Sequence, residues 1–220
     1  MGDNRVVNRP EYTSVKPYSI FAVFDLELTG LNPDEDKTIE AAIVLCDENG
    51  KILFVWESLI NPNKDTGPVH IHHITNDMVA NAPCFEQVAP DIIELCNNRI
   101  KVGLNNSLDF AVFKREFDEL GIRYKPGDSL DLSDLLRDEK FTDMFYDEIM
   151  EAINSQESEH RAMPDTMVAA AILPYALKFA KIYPERVKKL SRCEVVAVDP
   201  EPLHRDLTRN FDRIGYIAPE

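Results

Sequence analysis

Three apolar segments near the start of the chain limit the possible folds more than any other feature of the sequence. They are rich in β-branched and aromatic residues and cover positions 18–24, 38–46 and 51–60. The second and third are joined by the tetrapeptide Asp-Glu-Asn-Gly at 47–50, and Asn-Gly between two such segments is a strong hairpin signal. The sequence therefore predicts a sheet that opens with a three-stranded antiparallel meander.

Helical periodicity dominates the remainder of the chain. Apolar residues recur at helical spacing in segments 85–97, 107–120 and 163–181, and a short strand candidate at 100–104 separates the first two. Gly121 is placed to end the second helix. Helices that alternate with strands after an antiparallel opening are typical of an α/β fold with a mixed central sheet flanked by helices.

An acidic segment lies before the last of these helices. Residues 128–159 carry eleven acidic and two basic side chains. Within it Phe141, Phe145 and Ile149 lie one helical turn apart, which predicts an amphipathic helix. The aromatic rings here, with Tyr146, could stack on nucleic-acid bases, but packing of an apolar helix face against the core is the expected role.

The length of 220 residues predicts one domain. We expect it to cover residues 18–190, with a flexible arm at 1–17 and a tail at 191–220 that packs on the domain or extends from it. Because no run of eighteen apolar residues occurs, a transmembrane helix is excluded, and the polar arm does not resemble a secretory signal. The four cysteines lack CxxC spacing, so we expect a reducing, cytoplasmic environment.

The charge balance bears on possible partners. Acidic residues outnumber basic ones by 39 to 24, a net charge of −15, which argues against a protein that coats nucleic acid through its overall charge. Residues 178–192 are an exception, with six basic side chains and one acidic one. This segment is either a binding strip for phosphates or an exposed basic helix end.

Candidate functional residues begin where the first predicted strand ends. Strand alternation places Asp25 and Glu27 on one face, where two neighbouring carboxylates are costly to bury without a cation. Alone this signal is weak, since short acidic patterns arise by chance in so acidic a chain. Asp109 and Asp165 each lie in the first turn of a predicted helix, a favourable position for any acid. His160 precedes Asp165 by five residues.

Taken in order, these residues fall in three motifs that resemble those of the DEDDh family of 3′→5′ exonucleases. The motifs are FDLELTG, VGLNNSLDFAVFKREF and EHRAMPD. The family includes polymerase proofreading subunits, oligoribonuclease and RNase T. The segments LINP at 59–62 and IHHITNDMV at 71–79 are also similar to family motifs, so the resemblance extends from about residue 18 to residue 180.

The resemblance implies an RNase H-like exonuclease fold and a two-metal mechanism. Two Mg²⁺ or Mn²⁺ ions would be held by four acidic residues, Asp25, Glu27, Asp109 and Asp165. His160 would be the general base, a role that suits a side chain titrating near neutrality. We expect Asp25 to bridge both ions. Leu28, Thr29 and Asn105 would contact the terminal nucleotide, although Leu28 is equally typical of a core leucine at a strand end.

The implied reaction is hydrolysis of single-stranded DNA or RNA from the 3′ end to nucleoside 5′-monophosphates. Four positions depart from the family pattern, and none of them removes a catalytic group: His73 stands where Gly is usual, Leu104 where His is, Leu108 where Phe is and Thr166 where Ala is. Two alternatives remain. One is a catalytically weak or dead fold that serves as a binding or scaffold module. The other is a proofreading subunit that works only with a polymerase, docked through the 191–220 tail.

Overall fold

The computed structural model describes residues 20–124, 129–155, 160–183 and 186. The predicted arm at 1–17, the tail at 191–220 and most of the basic segment 178–192 lie outside these described residues. The five strands are β1 (Ile20–Leu28), β2 (Thr38–Asp47), β3 (Ile52–Leu59), β4 (Ile100–Gly103) and β5 (Ser129–Asp131). The longer helices are α3 (Phe85–Cys96), α4 (Ser107–Glu119), α7 (Tyr146–Asn154) and α8 (Ala162–Ile182).

The strands form one mixed sheet in the order β3-β2-β1-β4-β5. β1 pairs antiparallel with β2, and β2 pairs antiparallel with β3. β1 pairs parallel with β4, and β4 pairs parallel with β5. The predicted meander and the mixed sheet are therefore confirmed. Because β1, β4 and β5 run in the same direction, their carboxyl ends meet at one edge of the sheet.

The two long helices agree closely with the periodicity in the sequence. α4 ends at Glu119, and Gly121 follows with a φ of +75°, the left-handed conformation that commonly terminates a helix. α8 begins one residue before the predicted start and continues through Pro174. β1 differs from its prediction, because the strand does not stop before Asp25 but continues to Leu28.

The segment from 129 to 155 is more broken than predicted. Instead of one amphipathic helix, α6 (Glu139–Met144) and α7 are separated at Phe145, whose φ of −129° is not helical. The rings of Phe141 and Phe145 are buried and contact each other and α8, so the core role is confirmed for both. Tyr146 is exposed. The preceding short elements, β5 and α5 (Leu132–Leu136), were not predicted.

The region between β3 and α3 contains two single-turn helices. These are α1 (Val69–His72) and α2 (Asn76–Val79). Among the residues that the structure describes, none of the helices has both the length and the apolar character that a membrane span requires.

Alternation along β1 divides the hydrophobic core into two layers. Its even-numbered side chains, such as Phe24, pack with Val88 of α3 and Phe113 of α4. Its odd-numbered side chains, such as Phe21 and Val23, belong to the cluster that contains much of α8. When both faces of a strand are covered, nearly every residue in it is apolar, and residues 20–24 show this pattern.

Candidate active site

Three carboxylates from β1 and α8 meet at the edge of the sheet where β1 ends. One oxygen from each of Asp25, Glu27 and Asp165 lies within 4.8 Å of the other two. Within the described part of the chain, this is the group of potential ligands close enough to share a cation. β1 and α8, which are far apart in the sequence, thus bring together three of the four predicted acidic residues.

The alternation of β1 explains this arrangement. Asp25 and Glu27 continue the odd-numbered face that begins with Phe21 and Val23, and that face packs against α8. Asp165 lies in the first turn of α8, at the end of the helix that reaches this edge. The apolar contact between strand and helix therefore sets the position of the three carboxylates.

Asp109 approaches from the other layer of the molecule. It lies in the first turn of α4 and is 8% exposed. Asp109 is not one of the three mutually close carboxylates, but its charge contributes to the raised pKa of Asp25. Burial and the nearby charge of Asp131 raise the pKa of Asp109 itself to about 7. The charges of Asp109 and Asp165 therefore both raise the pKa values of Asp25 and Glu27 at this edge of the sheet.

The cluster is electrostatically unfavourable without a counterion. Burial and the charges of Asp109, Asp165, Glu27 and Glu40 raise the pKa of Asp25 well above its ordinary value. Burial, followed by the charge of Asp165, raises the pKa of Glu27 to about 8. Carboxylate oxygens are the ligands that Mg²⁺ and Mn²⁺ prefer, so the donor set fits hard divalent cations.

His160 lies two residues before the first residue of α8, exposed to solvent, with a φ of +57°. The left-handed region disfavours a residue with a Cβ by about 1–2 kcal/mol, so the conformation requires support from the residues that follow. Arg161, next in the chain, is the N-cap residue of α8.

Glu40 and Arg161 form an ion pair beside the cluster that the sequence did not reveal. The Nε of Arg161 donates to Oε2 of Glu40 at 2.9 Å, and its Nη2 donates to Oε1. Glu40 is 1% exposed and lies directly opposite Glu27 in the β1–β2 register. The sequence feature that could have revealed this pair is Glu40 itself, a glutamate in an otherwise apolar strand. A buried charge requires a partner, so such a residue indicates that a cation lies nearby.

Asp131 is a second residue that the sequence did not single out. It ends β5, and its Oδ1 accepts hydrogen bonds from the backbone N–H of Ser133 at 2.9 Å and from the Ser133 hydroxyl at 2.7 Å. The same oxygen accepts the backbone N–H of Asn105 at 2.9 Å. Asp131 therefore caps α5 and also holds the turn between β4 and α4, which carries Asn105 and leads to Asp109.

The predicted substrate contacts lie around this edge in different environments. Leu28 is 9% exposed and packs in the layer with α3 and α4. The hydroxyl of Thr29 donates to Oδ1 of Asp36 at 2.7 Å and accepts the N–H of Lys37 at 3.1 Å. Asn105 is exposed and has a φ of +56°. Their contact with a nucleotide stays a prediction.

Two glycines allow close packing around Thr29. A Cβ on Gly30 would lie 2.5 Å from an oxygen of Asp36. Gly67 has a φ of +83°, and a Cβ there would lie 2.0 Å from the carbonyl oxygen of Thr29. The loop after β1 therefore has close contacts, and any side chain at position 30 would force the carboxylate of Asp36 to move.

Three histidines, His70, His72 and His73, lie close together in the sequence, and the buried one, His72, has a structural role. Nε2 of His72 lies 3.1 Å from the carbonyl oxygen of Thr66, and Nδ1 accepts the N–H of Ile74 at 3.0 Å. Both ring nitrogens of His72 therefore have hydrogen-bond partners within the chain. Cys46 and Cys96 are buried free thiols.

Comparison with known proteins places these residues in a family. Residues 22–173 match the sequence profile of the RNase T family, described as exonuclease. The 3′-5′ exonuclease DinG of Staphylococcus saprophyticus is 29% identical over 199 residues, which are 87% of this chain and 22% of that protein. DinG of Staphylococcus aureus strain USA300 is 30% identical over 176 residues, 77% of this chain and 20% of the relative. The chain spans about a fifth of the length of these relatives.

Solved structures share the fold. E. coli exonuclease I in a complex with single-stranded DNA has a TM-score of 0.61 at 18% identity, covering 77% of this chain and 42% of that one. Exonuclease X in complex with 5′ overhanging duplex DNA has a TM-score of 0.54 at 22% identity, covering 77% of this chain and 98% of that one. The RNase H-like exonuclease fold is thereby confirmed.

Proposed function

Because the chain belongs to the exonuclease family named for RNase T, we propose that it hydrolyses nucleic acid from the 3′ end and releases nucleoside 5′-monophosphates. The observation that carries this proposal is the cluster of Asp25, Glu27 and Asp165 at one edge of the sheet, with Asp109 beside it. A set of buried, mutually repelling carboxylates suits a site built for divalent cations.

The acidic residues have distinct proposed roles. Asp25, whose pKa is raised by the charges of the other three acids, would bridge two ions. Glu27 and Asp165 would hold one of them, and Asp109 would complete the site from α4. Two Mg²⁺ or Mn²⁺ ions supply charge neutralisation on the attacking and leaving oxygens of the phosphodiester and lower the pKa of water. The cation requirement follows from the donor set rather than from any bound ion.

His160 is the proposed general base. Its exposed position at the N-terminal end of α8 leaves the imidazole accessible to water and substrate. A neutral imidazole accepts a proton from the attacking water near neutral pH, and returning that proton to solvent restores the base.

The proposed substrate is a single-stranded 3′ end of DNA or RNA. Leu28 and Thr29 at the end of β1 and Asn105 after β4 lie at the same edge of the sheet as the carboxylates, and they would contact the terminal nucleotide. Exonuclease I and exonuclease X, which share this fold, are described in complexes with single-stranded and overhanging DNA, and this supports an end-directed nucleic-acid substrate. Free buried thiols at Cys46 and Cys96 fit a cytoplasmic reaction.

The two alternative functions, a catalytically dead module and a polymerase-dependent subunit, require different features of the chain. A catalytically dead module is expected to lack one of the five predicted catalytic groups, and all five are present in the sequence. Dependence on a polymerase would act through residues 191–220, which lie outside the described residues. Neither alternative is favoured by a specific contact in the described part of the chain.

Product analysis tests the proposal. 5′-labelled single-stranded DNA, single-stranded RNA and a mismatched duplex are incubated with the full chain in one Mg²⁺ buffer at fixed salt, because salt alone changes nucleic-acid affinity. We expect ladders that shorten from the 3′ end, 5′-monophosphate products and loss of activity with a chelator. Substituting Asp25→Asn is expected to lower the rate at least about a hundredfold.

Asp143→Asn is the matched control, since Asp143 is an exposed acid on α6. It should cleave as fast as the wild type. Internal cuts, or full Mg²⁺-dependent activity in the Asp25→Asn variant, would contradict the proposal. The three substrates also determine whether DNA or RNA is preferred, a choice that depends on contacts to the 2′-hydroxyl.

A further inference from the structure

We propose that Glu40 and Arg161 are positioning residues that fix the start of α8 and thereby hold His160 and Asp165 against the carboxylates of β1. We refer to the pair as the β2–α8 clamp. This inference rests on the proposed function for its catalytic consequence, while the structural part concerns the chain alone.

The first step is the placement of Glu40. In the β1–β2 register Glu40 lies directly opposite Glu27, so both side chains project from the same face of the sheet. This is the face on which α8 packs. Glu40 is 1% exposed, and its only cationic hydrogen-bond partner among the described residues is Arg161. A fully buried carboxylate is costly unless it is paired and hydrogen-bonded.

The second step is the way in which Glu40 joins the helix. The guanidinium of Arg161 donates through both Nε and Nη2, a fork that fixes orientation as well as distance. In addition, Oε2 of Glu40 accepts the backbone N–H of Ala162 at 3.0 Å. Ala162 is the first residue of α8, and the first N–H groups of a helix have no partner within it. Since Arg161 gives no side-chain cap, Glu40 in the neighbouring strand provides it.

The third step connects the clamp to the site. Arg161 directly follows His160, whose left-handed conformation requires support from the surrounding structure. The carbonyl oxygen of Arg161 accepts the N–H of Asp165 at 3.2 Å. Arg161 thus lies covalently next to the proposed base and one helical turn before the proposed ligand. Fixing Arg161 on β2 fixes both groups relative to Asp25 and Glu27.

The clamp also changes the charge around the cluster. Arg161 lies close enough to Glu27 and Glu57 that its charge lowers the pKa of each, against the larger effect of burial. The charge of Glu40 raises the pKa of Glu27 by more than Arg161 lowers it, so the guanidinium offsets only part of the charge that Glu40 adds next to Glu27.

Two conservative substitutions separate positioning from simple stability. Glu40→Gln keeps the shape of the side chain but removes its charge, and Arg161→Lys keeps the charge but loses the planar fork. Glu116→Gln is the matched control. Glu116 is likewise buried, and it accepts the N–H and the hydroxyl of Thr38, but its described hydrogen bonds do not reach α8.

For the two clamp variants we expect kcat to fall about 10–100-fold with little change in KM, as for residues that orient metal ligands. Affinity for Mn²⁺ alone, measured by calorimetry, should weaken about tenfold. The amide of Ala162 should exchange faster with solvent, and the ring-proton NMR signals of His160 should shift. Glu116→Gln should leave kcat, Mn²⁺ affinity and these signals unchanged even where its melting temperature falls.

The proposal is overturned if both clamp variants lose thermal stability like Glu116→Gln but keep wild-type kcat, Mn²⁺ affinity and His160 signals. In that case the ion pair only stabilises the fold. If the wild-type chain degrades none of the nucleic acids offered, the proposed function fails, but Mn²⁺ affinity, amide exchange and the His160 signals still decide whether the clamp positions these groups.

Discussion

His73 occupies the left-handed region of backbone space, with a φ of +59° at the C-terminal end of α1. Exonucleases that this chain resembles commonly have Gly at the corresponding position, and the structure gives the physical reason. His73 donates its N–H to the carbonyl oxygen of Val69, which closes the single turn of α1. A residue with a Cβ pays for this conformation in strain, whereas Gly adopts it freely.

Replacing His73→Gly is therefore expected to stabilise the protein. Relief of left-handed strain, less the greater entropy of glycine in the unfolded chain, predicts a gain of about 0.5–1 kcal/mol in the free energy of unfolding. Urea unfolding measures this gain. His70→Gly is the control, because His70 lies within α1 and a helical position gains nothing from Gly. Equal losses of stability in both variants would contradict the strain argument.

At the scale of elements, the sequence correctly predicted the strands and helices that have a long, regular pattern of apolar residues. β1, the hairpin, α4 and α8 each carry enough apolar residues in a regular pattern to be recognised without knowing their neighbours. β5 was missed because three residues contain too few repeats to show a period, and its pairing with β4 is a long-range contact. The interruption at Phe145 was missed because buried apolar residues continue at helical spacing across it, from Phe141 through Phe145 to Ile149.

Of the residues in the candidate site, some were predicted from the sequence and others were not. Its acidic residues and His160 were predicted because they fall in ordered motifs, and the structure brings Asp25, Glu27 and Asp165 together. Glu40 and Asp131 were not predicted. Their roles depend on hydrogen bonds to Arg161 and Asn105, which are distant in the chain and brought close only by sheet pairing. Local patterns contain no information about such contacts.

The capping role of Asp131 leads to a prediction at the element scale. Asp131→Ala removes the acceptor for Ser133 and for the turn at Asn105, and loss of a helix cap is expected to lower the free energy of unfolding by about 1–2 kcal/mol. Asp131→Asn keeps a side-chain oxygen and should lose much less. Chemical denaturation of both variants provides the comparison. If the two substitutions destabilise equally, capping is not what Asp131 contributes.

For the whole molecule, the net charge of −15 excludes fewer kinds of nucleic-acid binding than the composition first suggests. Four of the acids are gathered at one edge of the sheet, where bound cations would reverse the local field. The remaining surface charge does not attract long polyanions. We therefore expect short, end-directed contacts with nucleic acid, and a strong influence of divalent cations on the stability of the entire chain.

This influence gives a pH-dependent prediction for the cation-free protein. The pKa of Glu27 is about 8 in the folded chain and near 4.5 when unfolded. Between these values the folded state retains a proton that the unfolded state has released, so raising the pH favours unfolding. In a chelating buffer, the free energy of unfolding should fall by about 1–3 kcal/mol from pH 5 to pH 8, and excess Mg²⁺ should reverse the loss.

Denaturant titrations at both pH values, with chelator or with Mg²⁺, measure the effect. Glu27→Gln serves as the comparison, since a neutral side chain does not titrate. It should reduce the pH dependence in the chelating buffer, while Asp25 and Asp109, whose pKa values are also raised, account for the remainder. A wild-type protein whose stability rises over this interval would show that the carboxylate cluster does not govern it, and a Glu27→Gln variant with the wild-type slope would show that Glu27 does not contribute.

The division of the core into two layers on either side of β1 also bears on how the chain folds. Asp25 and Asp165 come from opposite ends of the described chain, and Asp109 belongs to the layer that α8 does not join. Contacts between such distant positions carry a large loop-closure cost, so they tend to form late on the folding pathway. A cation that bridges these carboxylates would stabilise the native state more than the transition state, and its main kinetic effect would be to slow unfolding.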